Sequence, residues 1–180
     1  MASLTAYLGL GSNLGDRRAN LNRAARLLTS DDSNQIRLLR ASSTYETAPW
    51  GYAGQPDFLN CVLEIETSSS PEGLLERVKA LEREMGRVTG QRFGPRIIDL
   101  DILLYGDRTV DQPHLQIPHT RLHERAFVLV PLAELAPGLV HPVLGVSVQK
   151  LVDKVDGKEG VRPWGPPLDL PYGEQRTRSS

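Results

Sequence analysis

The sequence predicts an α+β fold: an antiparallel sheet with helices on one face and additional helices at its C-terminal end. Three observations point there. Two-residue alternation and helical periodicity succeed one another as strand, helix, strand, strand, helix, strand, the β-α-β-β-α-β order of the ferredoxin-like split βαβ unit. The alternation over Phe58–Thr67 is clean, with Leu59, Cys61, Leu63 and Ile65 on one side. The chain has 180 residues, 39% of them hydrophobic and 24% charged, which suits one domain with a full-sized core.

The first strand is Leu4–Leu10, alternating through Leu4, Ala6, Leu8 and Leu10. Gly9-Leu10-Gly11-Ser12-Asn13-Leu14-Gly15 follows and reads as a tight turn needing positive φ. It is neither a dinucleotide fingerprint, because the third glycine comes one residue late, nor a P-loop, because no G-K-[ST] follows. Asp16 is the expected N-cap of a helix from Arg17 to Leu28, with Leu21, Ala24, Ala25 and Leu28 as its apolar stripe. Gln35–Glu46 reads as the second strand. Thr47–Pro56 reads as a loop from its Pro and Gly content, and it carries two aromatic residues. On the third strand, Phe58–Thr67, Asn60 stands beside Phe58 on the face away from the core. A flat apolar ring next to an amide suits a heteroaromatic ligand, and it also suits an ordinary sheet face. Ser70-Pro71 then caps a helix with Leu74, Leu75, Val78, Leu81 and Met85 in period and Gly86 at its end.

Arg87–Arg96 contains three arginines and no acid, and leads into Gly94-Pro95 and the fourth strand, which carries Asp99-Leu100-Asp101. Alternation places Ile98, Leu100, Ile102 and Leu104 on one face and both aspartates on the other. Residues two apart on a strand lie roughly 6–7 Å from each other. Two carboxylates at that distance repel by about 2–3 kcal/mol at an effective dielectric near 20. Hard cations would relieve that repulsion, with the preceding arginines holding a polyphosphate. Pairing of the two acids with nearby arginines is the alternative.

Beyond Tyr105-Gly106 the chain reads as an irregular segment up to Ile117–Phe127, where His119 and His123 stand four apart without a third soft ligand for zinc. An apolar helix over Val128–Leu135 and an amphipathic one over Ser147–Val155 complete a single domain of residues 1–160. Residues 161–180, rich in Pro, Gly and Ser, read as an extended or disordered tail. The net charge of −1 gives no global reason to expect nucleic acid, and no apolar run approaches a membrane helix. With one cysteine, Cys61, and no signal-peptide pattern, the expected location is the cytoplasm.

Five segments in register carry a resemblance over roughly residues 4 to 155. They are Gly11-Ser12-Asn13-Leu14-Gly15, Tyr45-Glu46-Thr47-Ala48-Pro49, Gln55-Pro56-Asp57-Phe58-Leu59-Asn60, Gly94-Pro95-Arg96 with Asp99-Leu100-Asp101, and Pro118-His119 with Arg125-Ala126-Phe127. Together they closely resemble the 6-hydroxymethyl-7,8-dihydropterin pyrophosphokinase family of folate biosynthesis, whose fold agrees with the order above. The resemblance implies transfer of a pyrophosphoryl group from ATP to the hydroxymethyl group of the pterin, with release of AMP. It implies two Mg²⁺ ions held by Asp99 and Asp101. It implies a nucleotide site with Glu82, Arg87, Arg92, Phe93, Arg96, Ile102, His119 and Arg125, of which Arg87 and Arg92 join the aspartates as catalytic residues. It implies a pterin site with Thr47, Ala48, Pro49, Trp50, Phe58, Asn60 and Phe127, the two phenylalanines sandwiching the ring. A downstream dihydropteroate synthase is the partner it points to.

The chain also departs from the family pattern. Phe58 and Phe93 stand where tyrosine and tryptophan are common, which keeps stacking and loses a polar handle. Trp50 and Thr120 replace an aliphatic and an aromatic residue. A catalytically silent pterin or nucleotide sensor on the same fold and a purely structural domain are the competing readings. The first leaves the D-x-D clamp without a use, and the second leaves Asn60, Asp99 and Asp101 unexplained.

Overall fold

The computed structural model describes residues 2–30, 33, 35–49, 54–87 and 95–170. Strand β1 (Leu4–Ser12) and helix α1 (Arg17–Thr29) are followed by β2 (Ile36–Ala41), β3 (Thr44–Thr47) and β4 (Phe58–Thr67). Helix α2 (Pro71–Glu84) leads to β5 (Asp99–Tyr105). A hairpin of β6 (Val110–Gln112) and β7 (Leu115–Ile117), helices α3 (Ala126–Leu135) and α4 (Val148–Lys154), and β8 (Arg162–Gly165) complete the order. The main sheet runs β5-β1-β4-β3-β8, with β2 also on β4, and its pairs are antiparallel.

The expected helix starts hold because their caps are chemical. The Asp16 carboxylate accepts from the Ala19 N–H at 3.0 Å, and the Ser70 hydroxyl accepts from the Gly73 N–H at 3.0 Å with Pro71 in the first turn. Helices α1 and α2 bury Leu21, Leu28, Leu74, Val78 and Leu81 against Ala6, Leu8, Leu10 and the alternating Leu59, Cys61, Leu63 and Ile65.

Several expectations change. The strand expected over Gln35–Glu46 is two strands, both on β4. They part at Ser42, whose N–H donates to the Val62 carbonyl and whose hydroxyl accepts from the Val62 N–H. The second face of the sheet is not left bare: α3 and α4 cover Tyr7, Val62, Leu103 and Leu104. Leu104 belongs to that face rather than to the face of Leu100 and Ile102. The β1–β5 register jumps from Leu8↔Ile102 to Tyr7↔Leu104, so Leu103 is an extra residue and the alternation flips. The segment after Gly106, expected to be irregular, contains the β6–β7 hairpin, and α3 starts at Ala126 rather than Val128. Finally, β8 pairs with β3, and Leu168 and Leu170 sit in the main core, so extended backbone beyond residue 160 is built into the sheet. What stays open on the second face is the end carrying Asn60, Asp99 and Asp101.

Candidate active site

A cavity of about 240 Å³ opens at that end, floored by β5, β1 and β4 and walled by Phe127 and Val128 of α3. Asp99, Gly11 and Asn60 lie in one row across the three strands, and Asp101 lies opposite Gly9. The glycines keep this floor low. A Cβ on Gly11 would lie 2.8 Å from the Asn60 Oδ1, so the amide occupies the space a side chain would need. Of the glycines in the Gly9–Gly15 stretch, only Gly15 has the positive φ expected of a turn, at 64°, while Gly9 and Gly11 are strand residues.

Asp99 faces two guanidinium groups, Nη1 of Arg87 and Nη1 of Arg96, each 3.2 Å from its Oδ1. Asp101 is served less closely, with Arg125 Nη1 at 3.7 Å and His119 Nε2 at 3.9 Å. Burial first and the Asp99 charge second push the Asp101 carboxyl up from 3.8 to about 6, against the pull of Arg125. His119 is pushed down from 6.5 to about 4, by burial first and then by Arg125. Its imidazole is therefore neutral near pH 7. Its Nδ1 accepts from the Arg121 N–H at 3.2 Å, which leaves the proton on the Nε2 that faces Asp101.

Glu82 does not line this cavity. It is buried under β5, where one carboxylate oxygen accepts from the Leu100 N–H at 3.2 Å and the other pairs with Arg87. It thus holds both the strand between the aspartates and the arginine in front of Asp99. Lys79 has its Nζ 3.7 Å from Glu82 and reaches the cavity; it escaped the sequence reading because a lone lysine on a helix looks like a solvated one. Ile102 lies instead in a neighbouring cavity of about 300 Å³ with Leu75, Val78, His114 and Thr120. The two cavities share Asp101, His119 and Lys79.

At the far end of the first cavity, the Asn60 Nδ2 donates to the Thr47 hydroxyl at 2.7 Å, which fixes the amide orientation. Thr47, Ala48, Phe58 and Phe127 line this end; Pro49 does not. Asn13 is a connection with little sequence signal. Its Nδ2 donates to Gln55 Oε1 at 2.8 Å and to the Pro56 carbonyl at 3.0 Å, and its Oδ1 accepts from the Arg96 N–H at 2.7 Å. One buried amide therefore joins the aromatic-bearing loop to the arginine segment. Trp50, Arg92 and Phe93 lie outside the described residues. His119 and His123 do not share a helical face, since His119 lies outside any helix and His123 sits in a short 3₁₀ turn over Leu122–Glu124. Among the described residues no group of three or more His, Cys, Asp or Glu forms a metal cage. Two carboxylates, both about one-third exposed to the cavity, form a hard-oxygen donor set that suits Mg²⁺ completed by phosphate oxygens and water.

The family model for 7,8-dihydro-6-hydroxymethylpterin-pyrophosphokinase matches residues 7–137. A 2-amino-4-hydroxy-6-hydroxymethyldihydropteridine pyrophosphokinase of Methylorubrum extorquens is 46% identical over 151 residues, covering 84% of this chain and 93% of that protein. One of the same description from Bacillus subtilis is 42% identical, covering 88% and 89%. Folic acid synthesis protein fol1 of Schizosaccharomyces pombe is 45% identical over 87% of this chain but only 21% of its own length. A solved Plasmodium falciparum HPPK-DHPS chain superimposes with a TM-score of 0.68 at 16% identity, over 85% of this chain and 44% of that one. This chain thus spans less than half of that solved neighbour, and the likeness to it concerns the fold.

Proposed function

The chain belongs to the 7,8-dihydro-6-hydroxymethylpterin-pyrophosphokinase family, and we propose that its cavity binds ATP and the pterin side by side, with Asp99 and Asp101 holding two Mg²⁺ ions. The protein pyrophosphorylates 6-hydroxymethyl-7,8-dihydropterin in folate biosynthesis. The single observation carrying the residue assignment is the strand row Asp99–Gly11–Asn60. It sets a metal-type carboxylate and a ring-reading amide at opposite ends of one floor.

Asn60, oriented by Thr47, reads the polar edge of the pterin through its remaining hydrogen-bonding capacity. Phe58 and Phe127 take the ring faces by offset stacking. At the other end Arg87, Arg96 and Arg125 exchange partners. They neutralise Asp99 and Asp101 in the free protein, and swing to phosphate oxygens when the triphosphate arrives with its cations. Guanidinium groups suit that exchange because they match carboxylate and phosphate equally well. The ions, when bound, would neutralise charge along the triphosphate and favour attack on the central phosphorus. Neutral His119 offers its Nε2–H to a phosphate oxygen without adding charge. By the family resemblance, Arg92 and Phe93 are assigned to nucleotide binding and Trp50 and Pro49 to pterin binding, with Ile102 in the wall of the nucleoside pocket. Glu82 takes the indirect role of holding Arg87 and β5.

No helix among the described residues is long and apolar enough to cross a membrane. We place the enzyme in the cytoplasm, handing its product to a dihydropteroate synthase. The fused HPPK-DHPS neighbour supports that partnership.

Incubation with ATP, Mg²⁺ and the reduced hydroxymethylpterin, followed by chromatography of the nucleotides, should yield AMP. ADP would mean terminal phosphoryl transfer, and tight binding with ATP unchanged would mean a sensor.

A further inference from the structure

We propose that Arg162, on the C-terminal strand β8, is a positioning residue for the pterin end of the site; this rests on the pterin assignment of Asn60 and Phe58 above. Strands β3 and β4 part after the Thr47↔Phe58 pair, and the loop between them leaves through Glu46-Thr47 and returns through Asp57-Phe58. A single nitrogen of Arg162 spans both stems, with Nη2 at 2.8 Å from Asp57 Oδ2 and 3.3 Å from Glu46 Oε1. Arg17 of α1 grips the same two residues from the other side. Its Nη2 lies 2.7 Å from Glu46 Oε2, and its Nη1 donates to the Asp57 carbonyl at 2.9 Å. The guanidinium of Arg17 in turn lies 5.8 Å from the centre of the Trp164 ring, two residues along β8 from Arg162. Two cations and two acids thus close a charge-balanced staple across the mouth of the loop.

Both residues behind the staple face the site. Thr47, next to Glu46, holds the Asn60 amide, and Phe58, next to Asp57, lines the cavity. A shift at either stem reaches them through one peptide unit. The strand that carries Arg162 is itself anchored. Residues Tyr45 and Glu46 pair with Pro163 and Arg162, Arg18 donates to the carbonyls of Pro166 and Pro167, and Leu168 enters the core. All of β8 lies beyond residue 137, where the family match ends. Arg162 does not line the cavity, and its side chain is 54% exposed. An exposed ion pair adds little to global stability, so its effect should be local: it narrows the geometries open to the loop stems.

The test compares the full chain with Arg162→Ala, Arg162→Lys, Asp57→Asn and the Ala/Asn double variant in steady-state assays, varying pterin and ATP separately. Arg162→Ala should raise the KM for the pterin roughly 3- to 10-fold and leave the KM for ATP within about twofold, with a melting temperature within about 2 °C of the parent. Arg162→Lys should recover part of the loss, and Asp57→Asn should reproduce it without adding to Arg162→Ala in the double variant. An unchanged pterin KM, or equal losses for pterin and ATP, would overturn the proposal while leaving the enzyme assignment intact. A parent protein that neither binds nor turns over the pterin would overturn both.

Discussion

Asp99 and Asp101 are two residues apart on one strand, yet their surroundings differ. Two guanidinium groups at 3.2 Å attend Asp99, whereas among the described residues Arg125 at 3.7 Å is the nearest cation to Asp101, whose carboxyl is pushed up to about 6 by burial and its neighbour's charge. For an acid raised in the folded state, the sign is definite. The folded chain holds the proton more tightly, so the stability this group contributes is complete below its ordinary value of 3.8 and is lost as pH rises through about 6. Asp101→Asn removes that loss. In a chelator-containing buffer it should gain on the parent between pH 4 and 7, by roughly 1–2 kcal/mol once solvent screening of the partly exposed group is allowed for. Urea unfolding at several pH values measures this, and parallel stability curves would contradict the assigned repulsion. At the other end of the row, Asn60→Ala should weaken pterin binding by roughly 10- to 100-fold, since a ring edge loses its partner, while ATP·Mg²⁺ binding stays close to normal. Calorimetry with each ligand alone decides it, and equal losses would remove Asn60 from the pterin site.

Between elements, a buried carboxylate ties α2 to β5. Glu82 reaches under the strand to the Leu100 N–H and pairs with Arg87. Glu82→Ala leaves a largely buried guanidinium and a strand N–H without this acceptor, and should cost about 3–5 kcal/mol. Glu82→Gln keeps an acceptor for Leu100 but not the charge, so Arg87 leans wholly on Asp99 and competes with the cation. The expected result is a folded protein whose half-saturating Mg²⁺ concentration rises several-fold. A Gln variant with an unchanged Mg²⁺ dependence would show that Arg87 is not shared between the two acids. Helix caps and the β4 alternation were legible in the sequence because they are local patterns. This α2–β5 link was not: the sequence places Glu82 near the end of a helix, and only packing brings that turn beneath Leu100.

At the scale of the whole molecule, the sheet extends past the expected domain end. Leu168 is 1% exposed and belongs to the main core, with Leu170 beside it. Leu168→Ala should therefore destabilise the protein by about 2–5 kcal/mol, as any buried leucine does, and denaturant unfolding measures it. A loss below about 0.5 kcal/mol would return residues 161–170 to the status of a tail. The amino-acid sequence alone determined the β-α-β-β-α-β order, the caps at Asp16 and Ser70, the in-and-out alternation of β4 and the pairing of two carboxylates on one face of β5. Each depends on neighbours within a few residues, which periodicity and side-chain chemistry report directly. Tertiary structure decided the rest. It put Gly11 between Asp99 and Asn60, flipped Leu104 through a bulge, split the second strand at Ser42, covered part of the second face with α3 and α4, and carried Arg162 back to Glu46 and Asp57. Those features join residues far apart in the chain. Register across strands and the path of a Pro-rich segment depend on which surfaces remain to be buried, and that is settled only once the whole core has formed.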